Sequence, residues 1–173
     1  MSSRDELKRL ILEKGIVRGK PIILSSTRMS TFYFNLRPIA LDPAGCKLIA
    51  EIMVPKIKQY HADCVGGTED SSLPIILAIC ALGGIPGFFV RKQAPKYGLR
   101  EMIEGNLGKR AVLVDDVATS GESLLNVAKT LREAGCEVEH AVTIVDLLEG
   151  AKERLASFSV KLESIFDRED FKL

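Results

Sequence analysis

Charge of neither sign is in excess. The 173-residue chain carries 24 Lys and Arg against 23 Asp and Glu, a formal net charge of +1. No global field therefore draws it to nucleic acid or to an anionic membrane, and any anion binding has to be local. Cysteine is sparse and unpatterned: Cys46, Cys64, Cys80 and Cys136 make no CxxC pair and no metal-ligand spacing. That argues against a structural zinc site or a disulfide framework and for reduced, buried thiols in a cytoplasmic protein. A secretory leader is missing too, since "MSSRDELKRLILEKG" spreads charges through an amphipathic pattern. Only residues 73–90 run without charge, and Gly83, Gly84, Pro86 and Gly87 break that run into a buried helix, a turn and a short strand, so no membrane span is expected. Internal repeats, low-complexity tracts and linkers are likewise absent.

What is present suits one folded domain, residues 1–173: 46% of residues are hydrophobic and 27% charged, enough to bury one core. Ser3 and Glu6 form a capping-box pattern ahead of Leu7, Leu10 and Ile11, which predicts a helix over 4–14 ending at Gly15. "KPIILSSTRMSTFYFNLRPIAL" supplies two β-branched or aromatic runs around a polar turn at 25–30, the pattern of a hairpin. Asp42 followed by Pro43 starts another helix, which Pro55 should kink or shorten. From Cys64 onward short apolar strands alternate with small-residue loops and helices. Strands as continuously apolar as 111–114 imply burial on both faces, hence an α/β protein with a central parallel sheet flanked by helices and a small N-terminal addition.

"VLVDDVATSGES", residues 112–123, places two adjacent acids where such a strand should end, and open parallel sheets bind ligands there. The small residues Ala118, Thr119, Ser120, Gly121 and Ser123 let backbone N–H groups converge on an anion at the start of the next helix, with hydroxyls adding donors. The loop lacks the spacing of a Walker A motif. Asp115 and Asp116 repel a phosphate and need hydroxyls or a metal. A sugar that presents a diol beside a phosphate satisfies both halves. Downstream of a short strand, Arg91, Lys92, Lys96 and Arg100 gather around Gly98, a set that can clamp a pyrophosphate.

Residues 112–123 resemble the phosphoribosyl pyrophosphate signature of the type I phosphoribosyltransferases. Residues 25–37 are similar to the hood segment of the orotate phosphoribosyltransferases, 89–105 to their catalytic loop, and 145–151 to their next substrate-facing strand end. The resemblance implies the type I fold, with a hood over about 1–40 and a core over about 41–173. It also implies phosphoribosyl pyrophosphate and orotate as substrates, Mg²⁺ carried by the pyrophosphate with no direct protein ligand, and a homodimer with shared active sites. Carried onto this chain, Lys92, Lys96 and Asp116 are the catalytic candidates. Arg91, Lys92, Lys96, Tyr97, Asp115, Asp116, Val117, Ala118, Thr119, Ser120, Gly121, Glu122 and Ser123 would bind phosphoribosyl pyrophosphate. Ser25, Arg28, Tyr33, Phe34 and Thr119 would bind the base.

The chain departs from the family pattern in places. Pro95 stands at the usual loop lysine, and Lys96 follows one position late. Leu147 stands where the family usually has an arginine that holds the orotate carboxylate, a loss of about 2–5 kcal/mol unless Arg28 or Arg37 replaces it. In "TEDSS", Ser71 and Ser72 are expected to offer an anion-binding turn, with Glu69 and Asp70 awkward beside a pyrophosphate unless magnesium intervenes. Two other readings stay open: transfer to a different base, and a non-catalytic sensor of phosphoribosyl pyrophosphate or a nucleotide.

Overall fold

The structure, a computed structural model, describes residues 2–23, 29–93 and 101–172. Helix α1 (Ser3–Leu10) is capped by Ser2, whose hydroxyl accepts from the Asp5 N–H while the Asp5 carboxylate accepts from the Ser2 N–H. The expected box at Ser3 and Glu6 is thus displaced by one residue. A cap needs extended backbone at its own position, and Ser2 has it (φ −75°, ψ 157°) whereas Ser3 is already helical. The α-helix is also shorter than predicted: residues Ile11–Gly15 close as a π turn. Strands β1 (Ile16–Ile23) and β2 (Met29–Phe34) pair antiparallel as the expected hairpin, and turn residues 24–28 lie outside the described residues.

After the short α2 (Arg37–Ala40), helix α3 (Pro43–Gln59) starts as predicted, with the Asp42 carboxylate accepting from the N–H groups of Ala44 (3.0 Å) and Gly45 (3.3 Å). Pro55 does not shorten it. The helix runs on to Gln59 with Met53 and Ile57 fully buried on either side, and that packing outweighs the one backbone hydrogen bond a proline removes.

The rest of the chain is β3 (Cys64–Thr68), α4 (Leu73–Gly83), β4 (Gly87–Val90), β5 (Ile103–Gly105), β6 (Arg110–Ala118), α5 (Glu122–Glu133), β7 (Glu137–Asp146), α6 (Ala151–Ala156) and β8 (Lys161–Asp167). These strands form one sheet of order β5-β4-β3-β6-β7-β8, parallel except at the antiparallel edge strand β5. Along β6, Val112 and Val114 pack with α1, α3 and α4, while Ala111 and Leu113 pack with α5 and α6. Both faces are covered, which is why the strand reads as continuously apolar. The uncharged run 73–90 resolves into α4, a left-handed cap at Gly84 and β4. Among the described residues no helix is long and apolar enough to cross a membrane.

Edge strands β5 and β8 went unforeseen in the sequence, because their apolar residues alternate poorly and most of their side chains are only partly buried. The cysteines are free, as expected, but only Cys64 and Cys136 are fully buried. Burial pushes the Cys136 thiol up to about 11, which makes it inert. At the C-terminus, the turn Arg168–Phe171 ties the hairpin to the sheet: Phe171 meets Phe34 edge-on at 5.1 Å and Phe166 at 5.5 Å.

Candidate functional site

Asp115 and Asp116 sit inside β6 and not at its end. The ladder continues through Val117, opposite Val145, and Ala118, opposite Asp146, because a β-branched and a small residue extend it without strain. The turn Thr119, Ser120, Gly121 follows. Gly121 has φ +75°, and a Cβ there would lie 3.0 Å from Ala151 Cα, so the turn needs glycine both for its backbone and for its neighbour. The turn and the start of α5 enclose about 230 Å³, lined by Thr119, Ser120, Glu122 and Ser123 among others. Backbone N–H groups at the start of a helix and three hydroxyls make this concavity an anion site. Ala118 is buried, so only its backbone is available, and the exposed Glu122 can serve an anion only through its N–H, since its carboxylate repels one.

The acids behave differently from each other. Asp115 is only 6% exposed, and its Oδ1 accepts from the hydroxyls of Ser71 (2.8 Å) and Ser72 (3.1 Å) and from the Asp116 N–H (3.0 Å). Those serine hydroxyls therefore point inward as supports for Asp115, so the anion-binding turn expected at Ser71 and Ser72 would have to work through backbone N–H groups. A buried carboxylate draws donors more strongly than an exposed anion site can. Asp116 Oδ1 accepts from the Val117 N–H at 2.8 Å. Burial raises both carboxyls above their ordinary range, and the Asp115 charge helps push Asp116 up to about 7. Two acids that resist ionisation together call for a ligand with hydroxyl donors.

Asp115, Val117, Thr119 and Ser123 also border a second cavity of about 170 Å³, whose outer wall is Phe32, Tyr33, Phe34, Arg37, Leu147 and Glu149. Tyr33 is placed as expected and is half-buried, whereas Phe34 is 3% exposed and belongs chiefly to the core. Sequence reasoning missed Phe32 as a wall residue. The alternation of β2 was a usable signal, since positions two apart share a face. Leu147 is 6% exposed and held by its N–H to the Ala118 carbonyl (2.9 Å). The buried Asp146 shapes the turn beyond by accepting from the Leu148 N–H (2.9 Å) and pairing with Lys152 (3.3 Å). Ser25 and Arg28 lie outside the described residues.

A third cavity, about 320 Å³, opens on the far side of Ser123 and is lined by Thr68, Arg91, Lys92, Met102 and Asn126 among others. Ser123 borders all three cavities, which therefore adjoin one another at the start of α5. Its cations are already engaged. Lys92 pairs with Asp70 at 2.9 Å and its N–H donates to Glu69, while Arg91 pairs with Glu104 at 3.0 Å and Glu69 at 3.6 Å. The Lys92 ammonium holds the Asp70 carboxyl below its ordinary value. The acids of "TEDSS" are thus the partners of the loop cations. Lys96, Tyr97 and Arg100 lie outside the described residues.

Residues 44–171 match the phosphoribosyl transferase domain family. Over 98% of its length the chain is 38% identical to an orotate phosphoribosyltransferase of Bradyrhizobium sp. (strain ORS 278), covering 97% of that protein. It is 37% identical to the orotate phosphoribosyltransferase of Methanocaldococcus jannaschii over 94% of this chain and 93% of that one. Among solved structures, the orotate phosphoribosyltransferase of Mycobacterium tuberculosis superposes with a TM-score of 0.87 at 31% identity, covering 99% of both chains. The same enzyme in complex with 5-phospho-α-D-ribosyl 1-diphosphate gives a TM-score of 0.83 at 30% identity, again over 99% of each chain.

Proposed function

The chain belongs to the phosphoribosyltransferase family, and from that premise we infer that it is an orotate phosphoribosyltransferase of de novo pyrimidine (UMP) biosynthesis. It transfers the phosphoribosyl group of phosphoribosyl pyrophosphate to orotate, giving orotidine 5'-monophosphate and pyrophosphate. The observation that carries this reading is the meeting of three cavities at Ser123. Between them they present an anion loop, two hydroxyl-seeking acids, an aromatic wall and a pair of cations.

In this reading Thr119, Ser120 and Ser123 with the adjacent N–H groups hold the 5-phosphate, and Asp115 and Asp116 accept from the ribose hydroxyls. The orotate ring nitrogen attacks C1 of the ribose as the bond to pyrophosphate breaks, and no covalent protein nucleophile takes part. Asp116 places negative charge beside a ribose that becomes cationic, while Arg91, Lys92 and Lys96 stabilise the leaving pyrophosphate. Tyr33, Phe32 and Leu147 give the base apolar walls.

Magnesium favours hard oxygen ligands and keeps several from phosphate and water. No cluster of three or more metal-ligating side chains occurs among the described residues. Glu69 beside the cationic cavity fits the smaller role of one carboxylate approaching a magnesium carried by the pyrophosphate, where the metal would neutralise leaving-group charge. A cytoplasmic homodimer completes the proposal. Free thiols suit a reducing compartment, and Leu41 (70% exposed), Leu77 (66%) and Leu82 (58%) supply apolar surface that a second copy can cover.

Incubation with magnesium, phosphoribosyl pyrophosphate and either orotate, uracil or a purine base, with nucleotide and pyrophosphate measured, tests the activity directly. Orotidine monophosphate is the expected product. Turnover confined to another base would sink the acceptor assignment, and binding without turnover of any base would favour a sensor.

A smaller effect follows from the paired cations. Lys92 has to leave Asp70 to hold pyrophosphate, so Asp70→Asn should tighten product inhibition by pyrophosphate about threefold to tenfold. Both side chains are more than half exposed, so solvent screens the pair and the melting temperature should hardly move. An unchanged inhibition constant would show that the pair does not compete with the product.

A further inference from the structure

We propose that Arg37 determines the choice of an acidic acceptor, its guanidinium taking the carboxylate of orotate; this rests on the acceptor reading given above. Among the described residues that wall the second cavity, Arg37 is the one cation. The others are aromatic, aliphatic, hydroxylic or acidic. Asp115, Asp116 and Glu149 all border that space, so an anionic base entering it meets repulsion unless a cation compensates. Leu147, which lines the same cavity, offers only methyl groups.

The fold sets Arg37 up for the role. It is the first residue of α2, flanked by Leu36 (1% exposed) and, after Pro38, by Ile39 (2% exposed). Buried neighbours and a proline hold its backbone while its side chain stays exposed at the cavity mouth. Among the described residues the guanidinium makes no hydrogen bond or ion pair, in contrast to Arg91 and Lys92, which are both engaged by carboxylates. Arg37 lines the same cavity as Asp115 and Asp116, close enough for its charge to be felt at Asp116. An unspent planar fork of donors facing an aromatic slot matches a flat ring that bears a carboxylate, through a bidentate pair. A ring without the carboxylate, such as uracil, leaves that fork unused.

Steady-state kinetics of Arg37→Gln and Arg37→Lys test this, with both substrates varied. Arg37→Gln should raise the KM for orotate by tenfold to a hundredfold and change the KM for phosphoribosyl pyrophosphate by no more than about twofold. Arg37→Lys should recover part of the loss, and Leu147→Arg in the Arg37→Gln background should recover more by supplying a guanidinium to the same cavity. Titration with orotidine and uridine monophosphates gives a second readout: the preference for the carboxylated nucleotide should collapse in Arg37→Gln. An unchanged orotate KM overturns the proposal. So does an equal rise in both KM values, which would assign Arg37 to Asp116. If the wild type itself makes no orotidine monophosphate, the acceptor reading fails first, and a wild type active on orotate with an indifferent Arg37→Gln isolates the failure to Arg37.

Discussion

Asp116→Asn is expected to fold at least as well as the wild type while losing roughly 10²- to 10³-fold in kcat/KM for phosphoribosyl pyrophosphate. The catalytic loss follows from the bonds an amide cannot make. A carboxylate accepts from two ribose hydroxyls, each charge-assisted bond contributing about 1.5–3 kcal/mol. An amide keeps one acceptor and turns a donor toward the other hydroxyl, and it removes the negative charge that faces a cationic ribose. The stability change has the opposite sign because Asp116 is held where ionisation is unfavourable, its carboxyl pushed from 3.8 up to about 7 by burial and by Asp115. With the folded value raised, the carboxyl is protonated in both states below about pH 4, and wild type and variant should then match. Between about pH 4 and 7 the unfolded chain ionises while the folded chain keeps its proton, so wild-type stability falls through that window. Above it the full cost applies, on the order of 2–4 kcal/mol. Calorimetry at pH 5 and pH 8 should show the variant ahead of the wild type at both, by a clearly larger margin at pH 8. A variant with wild-type kcat/KM, or one that melts lower at both pH values, contradicts the role given to Asp116.

Gly67→Ala should damage both the fold and the site. Gly67 lies in β3 opposite Phe89 of β4, and a Cβ there would sit 2.3 Å from the Val114 carbonyl oxygen and 2.5 Å from Ser72 Oγ. The oxygen belongs to the central strand β6 and cannot retreat without breaking its ladder, so the overpacking should cost about 3 kcal/mol, near the upper end for such changes. For a chain of this length that lowers the melting temperature by about 6–12 °C. The remaining relief is to push Ser72 away, which strips a donor from Asp115 and should raise the KM for phosphoribosyl pyrophosphate severalfold. Ser72→Ala separates the two effects, since it removes the donor without the clash. It should weaken substrate binding with a stability loss of only about 1–2 kcal/mol. A Gly67→Ala protein that melts within about 2 °C of wild type would mean that β3 and β6 can part more easily than this packing allows.

How far the site was legible depended on whether its parts are consecutive. The phosphate loop and acid pair occupy one unbroken stretch, so spacing alone put Asp115 through Ser123 together, and the structure keeps them on one strand-to-helix segment, the acids in β6 and the loop leading into α5. The supports of Asp115 were not foreseen because Ser71 and Ser72 lie more than forty positions away in the chain and reach it only across the β3–β6 pairing. The serines looked like donors to a ligand, and a buried carboxylate had the stronger claim on them. Glu69 and Asp70 were puzzling beside a pyrophosphate until Arg91 and Lys92 appeared across the gap between β3 and β4. At the N-terminus a single-residue shift of the cap turned on backbone dihedrals that residue types do not specify.

Sequence alone determined the α/β class, the parallel core and the sugar phosphate to be bound, because each of those follows from local periodicity or from a contiguous motif. Tertiary structure decided the two edge strands, the burial that pushes Asp116 up to about 7, the pairing of Lys92 with Asp70, and the meeting of Phe32, Arg37 and Leu147 around one cavity. The physical reason is the same in each case. Desolvation, ion pairing and the shape of a cavity depend on atoms distant in the chain, and only the folding of β2, α2 and the end of β7 onto one another brings those atoms within reach.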